Sequence, residues 1–253
     1  MQLTAEEAIA KVNRAKWYHS FEVLPGVVTP GKAPTDPVKL LNERFGLPKD
    51  LSGRRALDIG ALDGPYSFEL EKRGAEVVAV DIQHPDHTGF NTAKEVRGSK
   101  VQYFQASAYE LTRVLTGKFD IVCFFGVYYH MKHPLLGFEQ IHSLLADDGL
   151  LLLEGECLLN HAEDPEVPSS QPSAFIASMA RSNIPITLFY PRTYKGDGSN
   201  WFVPNLACVR AWLDAAAMEL VTHGEWNEYP YQRMFGTARK IKGRKIEPDN
   251  PVW

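Results

Sequence analysis

Acidic and glycine residues recur where apolar segments of this 253-residue chain end. Asp58, Gly60, Asp63 and Gly64 stand in the stretch RRALDIGALDGPYSFELEKRG, and Asp81 ends the next apolar run, EVVAVD. A strand followed by a glycine turn and a helix is a common ligand-binding arrangement. Backbone N–H groups of the turn can approach a ligand, and the helix N-terminus is partly positive. An acid at the end of the following strand can accept the two hydroxyls of a ribose. The stretch therefore predicts a nucleotide or adenosine site.

The negative charge of the turn restricts the kinds of ligand that it can bind. A tight strand-to-helix turn alone would explain a glycine pair, and a dinucleotide site would favour G-x-G-x-x-G rather than the D-x-G-x-x-D-G found here. Asp58 and Asp63 repel a diphosphate but suit an ammonium and a sulfonium group, as in S-adenosylmethionine. The chain has no GK[ST] phosphate loop, which argues against a nucleotide hydrolase.

A second group of residues suits proton transfer. His130 follows the apolar run FDIVCFFGVYY and suits a general base; alternatively it orients a neighbour or caps the next helix. Glu154 lies near the end of the segment LLLEGE and could bind a sugar hydroxyl or act as a base, and His19 in WYHS is a third candidate. The spacing of His130, His133, Glu154 and Glu156 permits a metal site without specifying one, and we predict none.

Composition bounds the class of protein. A hydrophobic fraction of 44% and a charged fraction of 23% are typical of a globular protein, and a net charge of −4 argues against a strongly basic nucleic-acid binder. Cys123, Cys157 and Cys208 are widely separated, and Cys123 and Cys157, which lie in apolar runs, are interpreted as reduced core residues. Neither a secretory signal nor a membrane-spanning stretch is predicted, so we expect a cytoplasmic protein without a membrane partner.

From Arg54 onward, strand-like and helical patterns alternate. Near-continuous apolar runs are typical of parallel strands covered on both faces, so we expect an α/β fold with a doubly wound, mostly parallel sheet. The predicted strands are Ala56–Ile59, Glu76–Asp81, Val101–Gln105, Phe119–Phe125 and Leu150–Glu154, with edge strands near Leu220–Trp226 and Arg233–Ile241. The predicted helices begin at Thr4 and cover Val38–Phe45, Pro65–Arg73, Asn91–Val96, Leu111–Leu115, Pro134–Leu145, Ala174–Arg181 and Leu206–Ala217.

The chain is predicted to have four parts: an N-terminal helical and extended cap (1–50), the α/β domain (51–245), an insertion within it at about 157–205, and a tail (246–253). The insertion lacks a clean period and is expected to be a lid. Its aromatic residues suit either a substrate platform or the core of the lid, and nearby cations suit a phosphate or carboxylate contact. The aromatic residues are Phe189, Tyr190, Tyr194, Trp201 and Phe202, and the cations are Arg192, Lys195 and Arg233.

Five segments make the chain resemble the class I S-adenosylmethionine-dependent methyltransferases, and within them the branch related to bacterial tRNA wobble-uridine (mo5U/cmo5U34) modifying enzymes. They are WYHSFEVLPGVVTPG, LSGRRALDIGALDGPYSFELEKRGAEVVAVDI, FDIVCFFGVYYHMKHPL, LLLEGE and NWFVPNLACVRAWL. The resemblance runs from Trp17 to about Arg239. It implies a Rossmann-like methyltransferase sheet with S-adenosyl-L-methionine as the cofactor.

The resemblance also implies roles for single residues. The turn would hold the methionine end, Asp81 the ribose and Ile82 the adenine, while Tyr129 would line the methyl end and Trp17 would close the pocket. At Ser107 the acid usual in the family is absent. The full set of implied cofactor-binding residues is Trp17, Asp58, Gly60, Ala61, Asp63, Gly64, Asp81, Ile82, Ser107, Ala108, Phe125 and Tyr129.

One departure from the family concerns the transferred group. Carboxymethyl-transferring members bind an extra carboxylate through basic residues near the N-terminal segment and beside the Tyr-His pair. Here Met131 follows His130, and Lys132 is the nearby cation. This favours ordinary S-adenosylmethionine and methyl transfer.

The acceptor is the least determined feature. Methyl transfer is an in-line displacement in which the enzyme positions the nucleophile and takes its proton. With His130, Glu154 and His19 as candidate catalytic residues, we expect O-methylation of a small hydroxylated acceptor such as a sugar or secondary metabolite. A tRNA wobble-uridine methyltransferase is less favoured because of the acidic net charge, and a non-catalytic adenosine-binding module is a remote alternative. The sequence leaves the oligomeric state open.

Overall fold

The computed structural model describes residues 3–160, 174–192, 194–228 and 231–246. The chain divides into two compact units, residues 1–123 and 124–253. The expected tail and most of the proline-rich loop at 160–173 lie outside the described residues. The predicted four-part division of the chain stays a prediction.

The first unit begins with helix α1 (Ala5–Arg14). Its N-terminus is a capping box: the Thr4 hydroxyl accepts a hydrogen bond from the Glu7 amide, and the Glu7 carboxylate accepts one from the Thr4 amide. The predicted start at Thr4 is therefore confirmed. The buried face consists of Ala8 and Val12, whereas Ile9, which the helical period places toward the core, is 42% exposed.

The following proline-rich segment is more ordered than its composition suggests. It forms four short strands, β1 (His19–Ser20), β2 (Glu22–Leu24), β3 (Val27–Val28) and β4 (Ala33–Pro34). Strand β1 pairs with β4 in parallel, and β2 pairs with β3 antiparallel. Buried Thr29 holds the segment together, because its hydroxyl accepts from the Phe21 amide and donates to the His19 carbonyl oxygen. Helix α2 (Pro37–Lys39) then runs into a π-helical turn at Leu40–Arg44.

The rest of the first unit alternates strands and helices. The elements are β5 (Arg55–Ile59), α3 (Pro65–Lys72), β6 (Glu76–Asp81), α4 (Phe90–Arg97), β7 (Gln102–Gln105), α5 (Leu111–Val114) and β8 (Phe119–Phe125), whose last two residues belong to the second unit. Strand β6 pairs in parallel with both β5 and β7. The side chains of β5 and β6 are almost wholly buried, which explains their unbroken apolar sequence.

The second unit contains helix α6 (Pro134–Leu144), the long strand β9 (Leu145–Glu156), helix α7 (Ala174–Ala180), short strands β10 (Thr187–Phe189) and β11 (Phe202–Pro204), helix α8 (Leu206–Ala215), and strands β12 (Met218–Glu228) and β13 (Tyr231–Lys240). Strand β13 pairs antiparallel with both β9 and β12. The large sheet has the strand order β12-β13-β9-β8-β5-β6-β7. The predicted α/β fold with a doubly wound sheet is confirmed.

The insertion has its own small core, which differs from the expectation of an irregular lid. Strands β10 and β11 pair antiparallel, and buried Leu158, Tyr190, Tyr194 and Val203 form a hydrophobic cluster. Short strands were missed here because three-residue segments carry too little periodicity to detect.

The three cysteines are free and buried, which confirms the prediction for Cys123 and Cys157. Burial raises the pKa of the Cys208 thiol to about 11, so this thiol stays protonated near neutral pH. None of the described helices is both long enough and apolar enough to cross a bilayer.

Candidate active site

The backbone of the glycine turn (residues 60–64) adopts conformations and contacts that favour glycine over other residues. Gly60 and Gly64 have φ of 76° and 82°, and Leu62 between them has φ of 49°. A Cβ atom at Gly64 would lie 2.6 Å from the Phe68 ring and 2.7 Å from the Phe90 ring. Glycine at position 64 therefore allows both the left-handed conformation and the close approach of the two aromatic rings.

The amides of this turn are already bonded within the first unit. The amides of Gly60 and Ala61 donate to the Val80 carbonyl oxygen, at 2.8 and 3.2 Å. The Leu62 amide donates to Asp81 Oδ2 at 2.9 Å. These hydrogen bonds attach the turn to strand β6. The sequence led us to expect turn amides that face a ligand, whereas these three amides donate to Val80 and Asp81. The glycines of the turn would contribute to a cofactor site by leaving space for the ligand.

Asp58 is buried at the end of β5. Its carboxylate accepts a 2.6 Å hydrogen bond from the Ser67 hydroxyl on α3, and the residue is 2% exposed. Burial raises the pKa of Asp58 to about 6, and the nearby Asp81 charge adds to that shift. Asp58 therefore links strand to helix, and its contact with the methionine end remains a prediction.

Asp81 has the features that a ribose-binding acid needs. Its two carboxylate oxygens accept from the amides of Leu62 and Gln83, both at 2.9 Å, and each oxygen keeps a second lone pair. Ile82, the next residue, is 69% exposed although apolar. Its carbonyl oxygen accepts from Gln105 Nε2, which fixes the loop after β6. An oriented acid beside an exposed apolar side chain fits the ribose and adenine of S-adenosylmethionine.

Asp63 accepts hydrogen bonds from three backbone amides of the first unit. Its Oδ2 accepts from the amides of Tyr18 and His19, both at 2.7 Å, and its Oδ1 accepts from the Gly89 amide at 3.2 Å. Burial raises the pKa of Asp63, but these hydrogen bonds outweigh it and the net shift is downward. Asp63 thereby ties the WYHS segment to the glycine turn. Contact with the methionine end stays a prediction for this residue.

His19 and Trp17 lie on that tied segment. The buried Nδ1 atom of His19 is 3.4 Å from Asp63 Oδ2, without hydrogen-bond geometry. The Trp17 indole donates to the Val12 carbonyl oxygen, and its ring packs on Gly89 so closely that a Cβ there would lie 2.1 Å away. The structure therefore places Trp17, His19 and Asp63 together in the first unit.

The predicted adenine loop forms a compact turn after β7. The Ser107 hydroxyl accepts from the Tyr109 amide at 3.2 Å, and the Ser107 carbonyl oxygen accepts from the Glu110 amide. The Ala106 amide before it donates to the Asp81 carbonyl oxygen. This bond positions Ser107 and Ala108 relative to the ribose-binding acid, while their adenine contact remains a prediction.

A separate cavity of about 540 Å³ in the first unit contains none of the predicted site residues. It is lined by the extended segment together with α3 and Arg97. The Arg97 guanidinium already donates to the Val23 carbonyl oxygen and lies over the Phe68 ring. We assign this cavity no role in the chemistry.

In the second unit, Glu154 is held by Arg233. Two nitrogens of the Arg233 guanidinium, Nε and Nη2, each donate to one oxygen of Glu154. The third nitrogen, Nη1, donates to Glu156 Oε1 at 3.2 Å. The same guanidinium donates to the Tyr129 hydroxyl at 3.3 Å. Burial raises the pKa of Tyr129 to about 12, although Arg233 opposes the shift, so the phenol is neutral. A carboxylate bonded in this bidentate way is a poor proton acceptor, which disfavours Glu154 as the base.

The Tyr-His turn (Tyr128–His130) is fixed to its surroundings in the same unit. The Tyr128 hydroxyl donates to the Glu156 carbonyl oxygen at 2.6 Å, and the Tyr129 carbonyl oxygen accepts from the Trp201 amide at 2.8 Å. His130 is half-buried, and burial lowers the pKa of its imidazole. The group is therefore neutral near pH 7, as a general base requires.

The aromatic residues of the insertion divide into two groups. Tyr190 and Tyr194 are buried in its core, while Phe189 is 58% exposed and stacks on Trp201 at 6.3 Å between ring centroids. Lys132 Nζ lies 4.4 Å from the Trp201 ring centroid. Tyr190 and Tyr194 thus form part of the core of the insertion, while a substrate platform stays a prediction. The outer group forms what we call the aromatic surface, which consists of Phe189, Trp201 and Phe202.

Two of the three cations predicted to contact a phosphate or carboxylate, Lys195 and Arg233, are engaged by acids. Lys195 Nζ bonds both Glu156 oxygens at 3.1 Å, and Arg233 bonds Glu154 and Glu156. Their pairing leaves them little capacity for an external phosphate or carboxylate. Among the described residues, no group of three or more His, Cys, Asp or Glu side chains is arranged to hold a metal.

Two residues near His130 were not predicted as site residues: Ser199, which contacts the imidazole, and Asp197, which contacts Ser199. Asp197 and Ser199, in the sequence GDGSN, lie within the insertion and reach the histidine through Ser199. Their composition predicts a tight turn and nothing about what the turn contacts.

The fold is that of an α/β protein with a doubly wound, mostly parallel sheet and a glycine turn after strand β5. The chain belongs to the methyltransferase-domain family, whose family model matches residues 32–169, more than half of the chain. The prediction of an S-adenosylmethionine-dependent methyltransferase is confirmed at the level of this family, and with it the predicted cofactor.

Individual relatives and structures add detail. A tRNA U34 carboxymethyltransferase of Desulforapulum autotrophicum is 27% identical over 173 residues, which cover 68% of this chain and 46% of that protein. A ubiquinone biosynthesis O-methyltransferase of Pseudomonas aeruginosa is 28% identical over 116 residues, covering 46% of this chain and 48% of that protein. The N-terminal domain of EvdMO1, crystallised with SAH and D-fucose, matches with a TM-score of 0.63 at 17% identity, covering 94% of this chain and 97% of that chain. The chain thus spans about half the length of the curated relatives it matches.

Proposed function

We propose that this protein transfers a methyl group from S-adenosylmethionine to a hydroxyl group of a small acceptor such as a sugar or secondary metabolite. The observation that carries the proposal is the Tyr-His turn, where a neutral histidine adjoins the aromatic surface. Exposed aromatic rings stack on sugar faces and on planar molecules. A neutral imidazole can take the proton that a hydroxyl loses as it attacks.

The cofactor is assigned to the first unit. Asp81 and Ile82 would hold its ribose and adenine, and the glycine turn would leave room for its methionine end. When bound, S-adenosylmethionine supplies an electrophilic methyl group. The residues of the protein then have to orient the acceptor, exclude water and receive one proton.

Among the three candidate bases we choose His130. Glu154 is bonded by the Arg233 guanidinium, and His19 lies on the segment that Asp63 ties down. A carboxylate whose lone pairs are engaged by a guanidinium accepts a proton less readily, and the buried Nδ1 atom of His19 is closed to a substrate.

Ordinary S-adenosylmethionine is favoured over a carboxylated form by charge. The cations Lys195 and Arg233 face Glu154 and Glu156, and Lys132 lies over the Trp201 ring. Lys195 and Arg233 are thus already paired with acids, which leaves them less able to bind an additional carboxylate. The relative that modifies tRNA nevertheless makes methyl transfer to a wobble uridine of tRNA the second candidate.

Mass spectrometry tests the proposal. The protein is incubated with S-adenosylmethionine and a panel of hydroxylated small molecules, with unmodified tRNA in a parallel reaction. We expect the mass gain of one methyl group on a small acceptor. A mass gain on tRNA with none on the panel would replace the proposal with the second candidate.

His130→Ala tests the base. A positioned general base contributes about 10²- to 10⁴-fold, so we expect kcat to fall at least about 100-fold with little change in cofactor affinity. The matched control is His223→Ala, at an exposed position on β12. An unchanged kcat in His130→Ala would remove His130 from the chemistry.

A further inference from the structure

The insertion contributes two side chains to the surroundings of His130. Nδ1 of His130 lies 2.9 Å from the Ser199 hydroxyl oxygen and 3.2 Å from the Ser199 carbonyl oxygen. The same hydroxyl lies 2.6 Å from Asp197 Oδ1, which also accepts from the Ser199 amide at 2.8 Å. Asp197, Ser199 and His130 thus form a continuous hydrogen-bonded chain, which we call the relay.

The chemistry of these atoms decides where the protons are. A carbonyl oxygen can only accept, so Nδ1 of His130 must carry the proton that bonds the Ser199 carbonyl. The Ser199 hydroxyl then accepts from Nδ1 and gives its own proton to the Asp197 carboxylate, which can only accept when ionised. A neutral imidazole with its proton on Nδ1 presents a lone pair at Nε2.

The relay is supported by the fold of the insertion. The backbones of Tyr194 and Asp197 form a two-way bridge, with both amide-to-carbonyl bonds close to 3.2 Å. Tyr194 is 1% exposed in the core of the insertion, and the Trp201 amide donates to the Tyr129 carbonyl oxygen on the other side. The relay is therefore held at both ends before any acceptor arrives, which is what an oriented base requires.

Charges from several elements act on the imidazole. Asp197 in the insertion and Glu156 on β9 raise the pKa of His130, whereas burial and Arg233 on β13 lower it, and burial dominates. The Tyr129 ring lies 4.3 Å from the imidazole ring and is uncharged. The Asp197 charge is thus the one that reaches His130 through the relay.

We propose that Asp197 and Ser199 are positioning residues that hold His130 in the Nδ1–H tautomer, so that Nε2 faces the acceptor as the proton-accepting atom. This inference rests on the proposed function for the base role of His130. It accounts for an insertion between β9 and α8 that is fastened to the Tyr-His turn. The proton lost by the acceptor hydroxyl would be received at Nε2, giving an imidazolium whose Nδ1–H remains bonded to Ser199.

Nitrogen NMR of the full-length protein labelled with ¹⁵N-histidine tests the relay without any acceptor. The His130 signals are assigned by their loss in His130→Gln. We expect the Nδ1–H tautomer in the wild type and in Ser199→Thr, which keeps the hydroxyl, and a mixture of tautomers in Ser199→Ala. In Asp197→Asn we expect a lower pKa of His130, because the carboxylate that stabilises the imidazolium is neutralised while its acceptor oxygen is retained.

The second measurement is the methyltransferase activity on an acceptor that the mass-spectrometry screen identifies. Ser199→Ala should lower kcat about 10-fold, less than His130→Ala, because the Ser199 carbonyl still accepts from Nδ1. In Asp197→Asn the acid limb of kcat against pH should move to lower pH together with the pKa of His130. Asp197 and Ser199 are both exposed, so these variants should fold.

The two proposals fail in distinguishable ways. An Nε2–H tautomer in the wild type, or an unchanged His130 pKa in Asp197→Asn, overturns the relay whatever the activity. An intact Nδ1–H tautomer together with a normal rate in His130→Ala overturns the base role and with it the purpose assigned to the relay. Transfer to tRNA instead of small acceptors overturns the proposed acceptor and leaves the NMR result to judge the relay.

Discussion

At the scale of single residues, burial sets the chemistry of Asp58. Its carboxyl is 2% exposed and has a pKa of about 6 in the folded state, against an ordinary value of 3.8. Between these two values the folded protein binds more protons than the unfolded chain, so stability falls as pH rises. The Ser67 hydroxyl lowers the pKa but does not offset burial.

We predict that Asp58→Asn removes this pH dependence. The wild type should lose about 2 kcal/mol of unfolding free energy from this group between pH 4 and pH 6, and the variant should show a correspondingly flatter profile. Urea unfolding across that pH range measures the difference. Asp120→Asn, at a more exposed carboxylate of the same unit, is the control. Parallel profiles for wild type and Asp58→Asn would contradict the assigned shift.

Asp81 provides the second residue-scale prediction, for the cofactor site. Asp81→Ala should weaken S-adenosylmethionine binding by about 1.5–3 kcal/mol, roughly 10- to 100-fold in Kd, because hydrogen bonds to a charged acceptor are lost. Titration calorimetry measures the change. Glu76→Ala, at the exposed beginning of the same strand, should bind normally. Equal affinities for Asp81→Ala and wild type would refute the assignment of the ribose site.

At the scale of elements, the strand-turn-helix unit depends on close contact between α3 and α4. Phe68 on α3 and Phe90 on α4 have ring centroids 5.1 Å apart, and both rings lie against the Cα of Gly64. Any side chain at position 64 would meet these rings and would also be strained at its positive φ.

Gly64→Ala should therefore destabilise the protein by about 2–4 kcal/mol, combining backbone strain with overpacking. Gly98→Ala is the matched control, because Gly98 also has a positive φ but a Cβ there meets nothing within 4 Å. We expect the control to cost only about 1 kcal/mol. Chemical denaturation compares the two variants, and equal losses would show that packing at position 64 is not tight.

At the scale of the whole molecule, charge argues against a polyanionic substrate. The net charge is −4, and the basic run near residue 240 is largely paired: Arg239 bonds Glu219, Lys240 bonds Asp147 and Arg244 bonds Asp214. A protein that binds nucleic acid gains affinity by releasing counterions with unpaired cations. Paired cations contribute little to that gain.

We accordingly predict weak tRNA binding, with Kd above about 1 µM at physiological salt, as for non-specific association. Fluorescence anisotropy with labelled tRNA at several salt concentrations measures it. The double variant Glu219→Gln/Asp214→Asn, which unpairs two arginines, should bind more tightly and with a steeper salt dependence. Nanomolar binding by the wild type with a steep salt slope would favour tRNA as the substrate.

Local patterns determined much of this protein from sequence alone. The capping box at Thr4, the strands β5, β6 and β8, and the glycine turn were predicted because each depends on residues within a few positions of one another. Asp81 could be placed at a strand end for the same reason. The outer bounds of β9 were missed, because polar Asp147 and Asp148 interrupt its apolar pattern.

Only the tertiary structure decided what the polar side chains contact. Asp63 accepts from amides more than forty positions away, Glu154 is bonded by Arg233 from another strand, and Ser199 reaches His130 across 69 positions. Such pairings leave no periodic signal, because hydrogen bonds between distant segments depend on how the chain returns on itself. The sequence by itself determined which residues are capable of chemistry; the fold decided which of them are engaged with one another.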